Sequence, residues 1–136
     1  HTDYRAKARA AVEELAGGQD FVFIHIEAAD EAGHQGDVAA KVAAIEEIDA
    51  KVVGPVVAAL AASFSRWRLM VLSDHPTPLA LRTHTAEPVP FVIVGDGVTG
   101  PGAPDGVFSE ATASLGMHFG SGPALFAFFL GLATGD

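Results

Sequence analysis

Cysteine is absent from the chain, which excludes a disulfide framework, a thiolate zinc site and a thiol nucleophile. The redox compartment is therefore not written in the sequence, and the cytosol is the default expectation. Positive charge is scarce too: eight Lys plus Arg stand against seventeen Asp plus Glu, a formal net charge of −9. Apart from Arg5, Lys7 and Arg9 the basic residues are scattered. That excludes a nucleic-acid groove, because phosphate neutralisation needs a clustered positive surface. No apolar run approaches the ~18 to 20 residues needed to cross a bilayer, and His1-Thr2-Asp3-Tyr4 lacks a basic-then-apolar signal pattern. The expectation is a soluble protein with no membrane partner, and an acidic one is better matched to cations.

What is present is ordinary for a folded domain. At 136 residues, 49% of them hydrophobic and 18% charged, the chain can bury a core and has little room for disorder, so residues 1–136 read as one domain. Thr2 and Asp3 read as helix-capping residues with no initiator Met before them. The start therefore reads as an element boundary, with His1 either an added residue or part of a longer chain.

Tyr4 to Leu15 is expected to form an amphipathic helix ended by Gly17-Gly18. Phe21 to Ile26 reads as a strand buried on both faces. Asp37 can cap a long helix with Val38, Val42, Ile45, Ile48, Val52, Val56 and Leu60 on one stripe, kinked or divided at Pro55. Leu69 to Leu72 and Val89 to Val94 read as further strands, and Gly95 to Pro104 as a surface loop. Ser109 to Met117 and Pro123 to Leu132 read as helices. Strands alternating with helices predict an α/β sandwich with a largely parallel sheet.

In such sheets ligands bind beyond the carboxyl ends of the strands. Ile24 to Asp37 places Asp30 four residues before His34, on a turn between the first strand and the long helix. A carboxylate and an imidazole at that spacing can close on one divalent cation. Asp74 and His75 follow the second strand in Ser73-Asp74-His75-Pro76-Thr77-Pro78, and His84 lies in Thr83-His84-Thr85. Taken singly, each His is more often a surface or core residue. Together on one sheet edge, the five suit a pair of cations about 3.5 to 4 Å apart, an arrangement used in phosphoryl transfer.

HIEAADEAGHQGD, LSDHPTPLALRTHT and PVPFVIVG, in that order, resemble the second half of the cofactor-independent phosphoglycerate mutases. The likeness is to their short archaeal and bacterial type, in the alkaline phosphatase superfamily. TDYRAKARAAVEEL and EEIDAKVVGPVVAAL are similar to that family as well, so the resemblance covers nearly the whole chain. It implies an alkaline-phosphatase-like sandwich whose N-terminal half is absent. Asp30, His34 and His84 are implied as ligands of one metal, and Asp74 and His75 as part of the second metal's shell. Mn²⁺ is the first choice of ion, with Zn²⁺, Co²⁺ and Mg²⁺ as alternatives. The parent would interconvert 3- and 2-phosphoglycerate, a small phosphorylated substrate, through a phosphoserine. The serine and the remaining ligands would come from the N-terminal half of the same protein, and the inserted domain bearing much of the substrate-binding set is missing too. The chain alone is expected to be inactive and prone to self-association through unpaired strand edges. Ala29 departs from the family's usual Pro before Asp30 and removes no ligand.

Other readings stay beside this one: a phosphatase or other phosphotransferase of the same superfamily, and a non-catalytic metal-binding or interaction module. Gly95-Asp96-Gly97-Val98-Thr99-Gly100 fits G-x-G-x-x-G, but Pro101 and Pro104 prevent a following helix, so no dinucleotide site is expected. Ser73 reads as a cap of the metal loop and Ser109 as an ordinary serine, neither in a nucleophile-elbow context. His25 and Glu27 can orient a ligand imidazole or be merely structural. Arg82 is the basic group placed to meet a phosphate, and His118 reads as surface.

Overall fold

The structure, a computed structural model, describes residues 2–98 and 106–131. Its contacts divide the chain into two compact units, His1–Ser65 with Pro76–Ala86, and Arg66–His75 with Glu87–Asp136.

The first unit is helical. Helix α1 (Tyr4–Ala16) begins where Asp3 accepts a hydrogen bond from the Ala6 N–H at 2.9 Å and ends at Gly17. It buries Tyr4, Ala8 and Ala11. Two of the three are alanines, which lets it lie close against Val52, Val56 and Leu60, buried on the elements it packs against. The core is modest, with no large side chain fully buried among the described residues.

Helices α2 (Ala28–Gln35) and α3 (Val38–Ile48) pack on each other. From α3 the chain passes through a π turn (Asp49–Val53) into α4 (Gly54–Ser63) without leaving helical conformation. Pro55 explains the π turn. It has no N–H for the Lys51 carbonyl and crowds that turn, so the helix widens there and the Gly54 N–H bonds back to the Asp49 carbonyl. The expected division at Pro55 is present as a wide turn rather than a break. The predicted stripe is half right: Val52, Val56 and Leu60 are buried, whereas Val38, Val42 and Ile45 are exposed and Ala44 faces inward.

Residues 21–27 form no strand. The β-branched and aromatic residues give an extended segment, but a strand also needs a neighbouring edge to ladder with, and no ladder forms there among the described residues. Burial on both faces is likewise corrected: Val22, Ile24 and Ile26 are half-buried while Phe21 and Phe23 are exposed, Phe23 by 72%.

The second unit contains a two-stranded sheet of β1 (Arg68–Leu72) and β2 (Phe91–Gly95). The strands are antiparallel, in register from Arg68 opposite Gly95 to Leu72 opposite Phe91. This corrects the expected largely parallel sheet for the described residues. A parallel pair needs a crossover, usually a helix, and residues 73–90 contain none. Arg68 ties this unit together, donating from Nε to the Asp96 carbonyl at 2.6 Å and from Nη1 to the Phe129 carbonyl at 2.8 Å. Helix α5 (Glu110–Ala113) is shorter than the predicted 109–117 span, and α6 (Gly122–Phe129) carries Pro123 in its first turn as expected. Residues 99–104 of the glycine-rich segment and Leu132 lie outside the described residues. Among those described, no helix is long and apolar enough to cross a membrane.

Candidate metal centre

Asp30 and His34 sit on α2, not on a turn leading into the long helix. Ala28-Ala29-Asp30-Glu31-Ala32 favours helix, and acidic residues in its first turn suit the positive end of the helix dipole. Gly36 ends it in left-handed conformation, φ 69°, with its N–H returning to the Ala32 and Gly33 carbonyls. Asp37 then starts α3 by accepting from the Ala40 N–H at 2.9 Å. A four-residue step on a helix puts side chains on one face, so the Asp30 carboxylate and the His34 ring meet, His34 Nε2 lying 3.4 Å from Asp30 Oδ2.

The third group comes from the segment Pro76–Ala86, which packs on α2. Two hydrogen bonds onto the Pro78 carbonyl, from the Leu81 and Arg82 N–H groups, curl it, and the Thr85 N–H closes it onto the Pro76 carbonyl at 3.2 Å. Arg82 adopts φ 53°, unusual for a residue with a Cβ. Its carbonyl oxygen thereby accepts from His34 Nδ1 at 3.0 Å. The close approach depends on Gly33. A Cβ there would stand 2.8 Å from the Thr77 carbonyl oxygen and 2.9 Å from its methyl group. Thr77, 5% exposed, donates its hydroxyl to Asp30 Oδ1 at 2.5 Å and accepts from Lys41 Nζ at its carbonyl at 2.7 Å.

The result is a three-residue cluster. His84 Nε2 lies 3.0 Å from His34 Nε2 and 3.4 Å from Asp30 Oδ1. Two donors on one cation at bond lengths of about 2.1 Å stand about 3.0 Å apart at a right angle and about 3.4 Å apart at the tetrahedral angle. The observed separations match that range, and the donor set of one carboxylate with two imidazoles suits a divalent first-row metal. Donation from Nδ1 to the Arg82 carbonyl fixes the His34 tautomer that presents a lone pair at Nε2. The side chains of His34, His84 and Asp30 are 42%, 50% and 33% exposed, so the cluster opens to solvent and remaining coordination positions are reachable by water or a ligand. These residues fit a metal ion.

Asp74 and His75 belong to the second unit, where the His75 N–H donates to Asp74 Oδ1 at 3.0 Å and His75 Nε2 stands 3.4 Å from Asp74 Oδ2. His25 and Glu27 face each other at 3.7 Å on exposed positions. Arg82 contributes its carbonyl to the cluster, and its guanidinium lies over Gly36 at the end of α2. Ser109 is the N-cap of α5, accepting from the Thr112 N–H at 3.2 Å, which gives its hydroxyl a structural task. In the G-x-G-x-x-G segment, Asp96 accepts from the Trp67 N–H at 3.0 Å, while Thr99 and Gly100 lie outside the described residues. His118 is exposed. Sequence reasoning passed over Thr77 and Lys41. The only signal was Thr77's place beside the Asp-His pair, because both contacts span a large sequence separation.

A family model described as the Metalloenzyme superfamily matches residues 1–121. Over 119 residues the chain is 50% identical to a 2,3-bisphosphoglycerate-independent phosphoglycerate mutase of Methanothrix thermoacetophila, covering 86% of this chain and 29% of that protein. It is 44% identical over 117 residues to the protein of the same name from Methanosarcina acetivorans, covering 85% of this chain and 28% of the relative. Among solved structures it is similar to the PH0037 protein from Pyrococcus horikoshii, with a TM-score of 0.82 and 29% identity across 96% of this chain and 38% of that one. The chain thus spans under a third of the length of these two relatives.

Proposed function

The chain belongs to the Metalloenzyme superfamily, and from that premise we propose that it is the metal-binding C-terminal part of a 2,3-bisphosphoglycerate-independent phosphoglycerate mutase. The parent interconverts 3- and 2-phosphoglycerate. The observation that carries this reading is the convergence of Asp30, His34 and His84, with donor atoms 3.0 to 3.4 Å apart, in a chain half identical over 119 residues to a protein of that name.

In this reading Asp30, His34 and His84 hold one divalent ion, with Mn²⁺ the first choice among Mn²⁺, Zn²⁺, Co²⁺ and Mg²⁺ for mixed carboxylate and imidazole ligands. Asp74 and His75 contribute to a second ion together with residues from the part of the parent that this chain does not span. The same missing part supplies the serine that carries the phosphoryl group. Bound divalent ions supply charge neutralisation for a transferring phosphoryl group and make a nearby hydroxyl more acidic. The chain's own residues do the holding. His34 is kept in one tautomer by the Arg82 carbonyl, the Asp30 carboxylate is turned toward both imidazoles, and His84 is brought in by the curled 76–86 segment.

Two measurements test the proposal. The 136-residue chain is expected to bind Mn²⁺ yet give no turnover of 3-phosphoglycerate, because removing a covalent nucleophile forfeits most of the catalysis. The full-length parent is expected to interconvert the two phosphoglycerates in a metal-dependent way, and to lose that activity on His34→Ala. A parent that hydrolyses phosphate monoesters without isomerising phosphoglycerate overturns the mutase assignment. Turnover by the 136-residue chain alone overturns the division of labour.

A further inference from the structure

We propose that Thr77 is a positioning residue for the metal centre, its hydroxyl setting the orientation of the Asp30 carboxylate before any cation arrives. This rests on the metal reading above and extends it to a residue that binds no metal.

Among the described residues Thr77 is the one polar residue that is buried as a whole. A buried hydroxyl is costly unless it is hydrogen-bonded, and this one is directed at Asp30 Oδ1, 2.5 Å away. An acceptor could not replace it, because the carboxylate offers only lone pairs. The residue is held on its other sides as well. Lys41 Nζ grips its carbonyl at 2.7 Å. Its methyl group and carbonyl oxygen rest against Gly33, where a Cβ would come within 2.9 and 2.8 Å. Thr77 therefore has little freedom, and what it fixes is fixed firmly.

An aspartate carboxylate needs such a partner, because the terminal torsion of Asp is broad rather than confined to sharp wells. With the hydroxyl on Oδ1, the carboxylate presents Oδ2 to His34 and Oδ1 to His84, each at 3.4 Å. Groups that orient metal ligands in this way typically account for 10- to 100-fold in affinity. Thr77 precedes Thr83-His84-Thr85 by six residues in the same segment, so it also ties the segment bearing His84 to the helix bearing the other two ligands.

The test is calorimetric titration of the 136-residue chain with Mn²⁺, for the parent sequence and for Thr77→Val, Thr77→Ser and Thr77→Ala, each with metal-free urea unfolding. Thr77→Val keeps the shape and removes the donor, and it is expected to weaken Mn²⁺ binding about 10- to 100-fold. Thr77→Ser keeps the donor and is expected to stay within about threefold of the parent sequence, well inside that loss. Should Thr77→Val show no cooperative unfolding, the Ser and Ala variants decide, since they differ by the hydroxyl alone. Affinity unchanged by Thr77→Val, or lost equally in Ser and Ala, overturns the proposal and leaves Thr77 a packing residue. A parent chain that binds Mn²⁺ at no concentration overturns the metal reading and this inference with it.

Discussion

Replacing Gly33 by alanine sets two opposed effects against each other within one helix. Alanine is the better helix former, and in α2 the exchange gains about 1 kcal/mol. Against it stands the wall formed by the 76–86 segment. The new methyl group would lie 2.8 Å from the Thr77 carbonyl oxygen, 2.9 Å from Thr77 Cγ2 and 3.1 Å from Lys41 Nζ. Overpacking of this kind costs about 1 to 3 kcal/mol. The net loss of stability is therefore small, from near nothing to about 2 kcal/mol. Metal binding is less forgiving. The Lys41 amine can swing aside, but the Thr77 backbone moves only with its segment, and that segment carries His84. Metal-ligand distances tolerate about 0.2 Å, whereas relief of the two Thr77 contacts needs several tenths of an ångström. Mn²⁺ affinity is expected to fall at least about tenfold, or about 1.4 kcal/mol, in a protein that remains folded. Calorimetric titration beside metal-free urea unfolding reads the two effects separately. A Gly33→Ala chain that is more stable and binds Mn²⁺ with undiminished affinity would refute the claim that this approach sets the site.

His34→Ala is expected to abolish tight Mn²⁺ binding by the 136-residue chain, and His75→Ala to change it little. Titration of both variants checks this, and loss only with His75→Ala would reverse the assignment of the ligands. Arg68→Ala removes charge-assisted bonds to the Asp96 and Phe129 carbonyls and is expected to cost about 1.5 to 3 kcal/mol. Denaturant unfolding measures it, and a loss within experimental error would show the clamp to be ornamental. The chain by itself is expected to self-associate, because Phe23, Val38, Val42 and Ile45 are all at least half exposed. Light scattering showing a monodisperse monomer at high concentration would contradict this.

The approach of Asp30 and His34 was legible because a four-residue spacing brings the two together on a turn or a helix alike, although the helix itself was not expected. Any helix spanning Asp30 and His34 puts them on one face, and the surrounding alanines favour a helix. His84 was legible only through its motif context, since nothing local says that the 76–86 segment folds onto α2. Thr77 was not legible, because its role depends on a contact 47 residues away in sequence. The strand expectation at 21–26 failed for a similar reason. Side chains determine whether a segment extends, but a ladder belongs to two segments. The direction of the sheet depended on residues 73–90 lacking a crossover helix, and its Pro and Thr content made that loop visible without revealing which way the chain returned.

The π turn lets one continuous helical run serve two partners, packing on α2 through α3 and on α1 through α4. Ala44 and Val52 are both buried, with Val56 and Leu60 following. At about 100° per residue, the eight steps from Ala44 to Val52 overshoot a common face by about 80°, while seven steps fall within about 20° of it. The wide turn at Asp49–Val53 takes up one residue between the two halves, so the turn as well as the residue count sets which side of α4 faces inward. Removing a residue from an unbroken α-helix swings everything beyond it by about 100°. Deleting Ala50 would force Pro55 into a regular α-helical turn, where it has no N–H to give and crowds the carbonyl four residues back, so urea unfolding is expected to show a loss of about 3 kcal/mol. A proline thus sets the register between the two halves of the helix without breaking it.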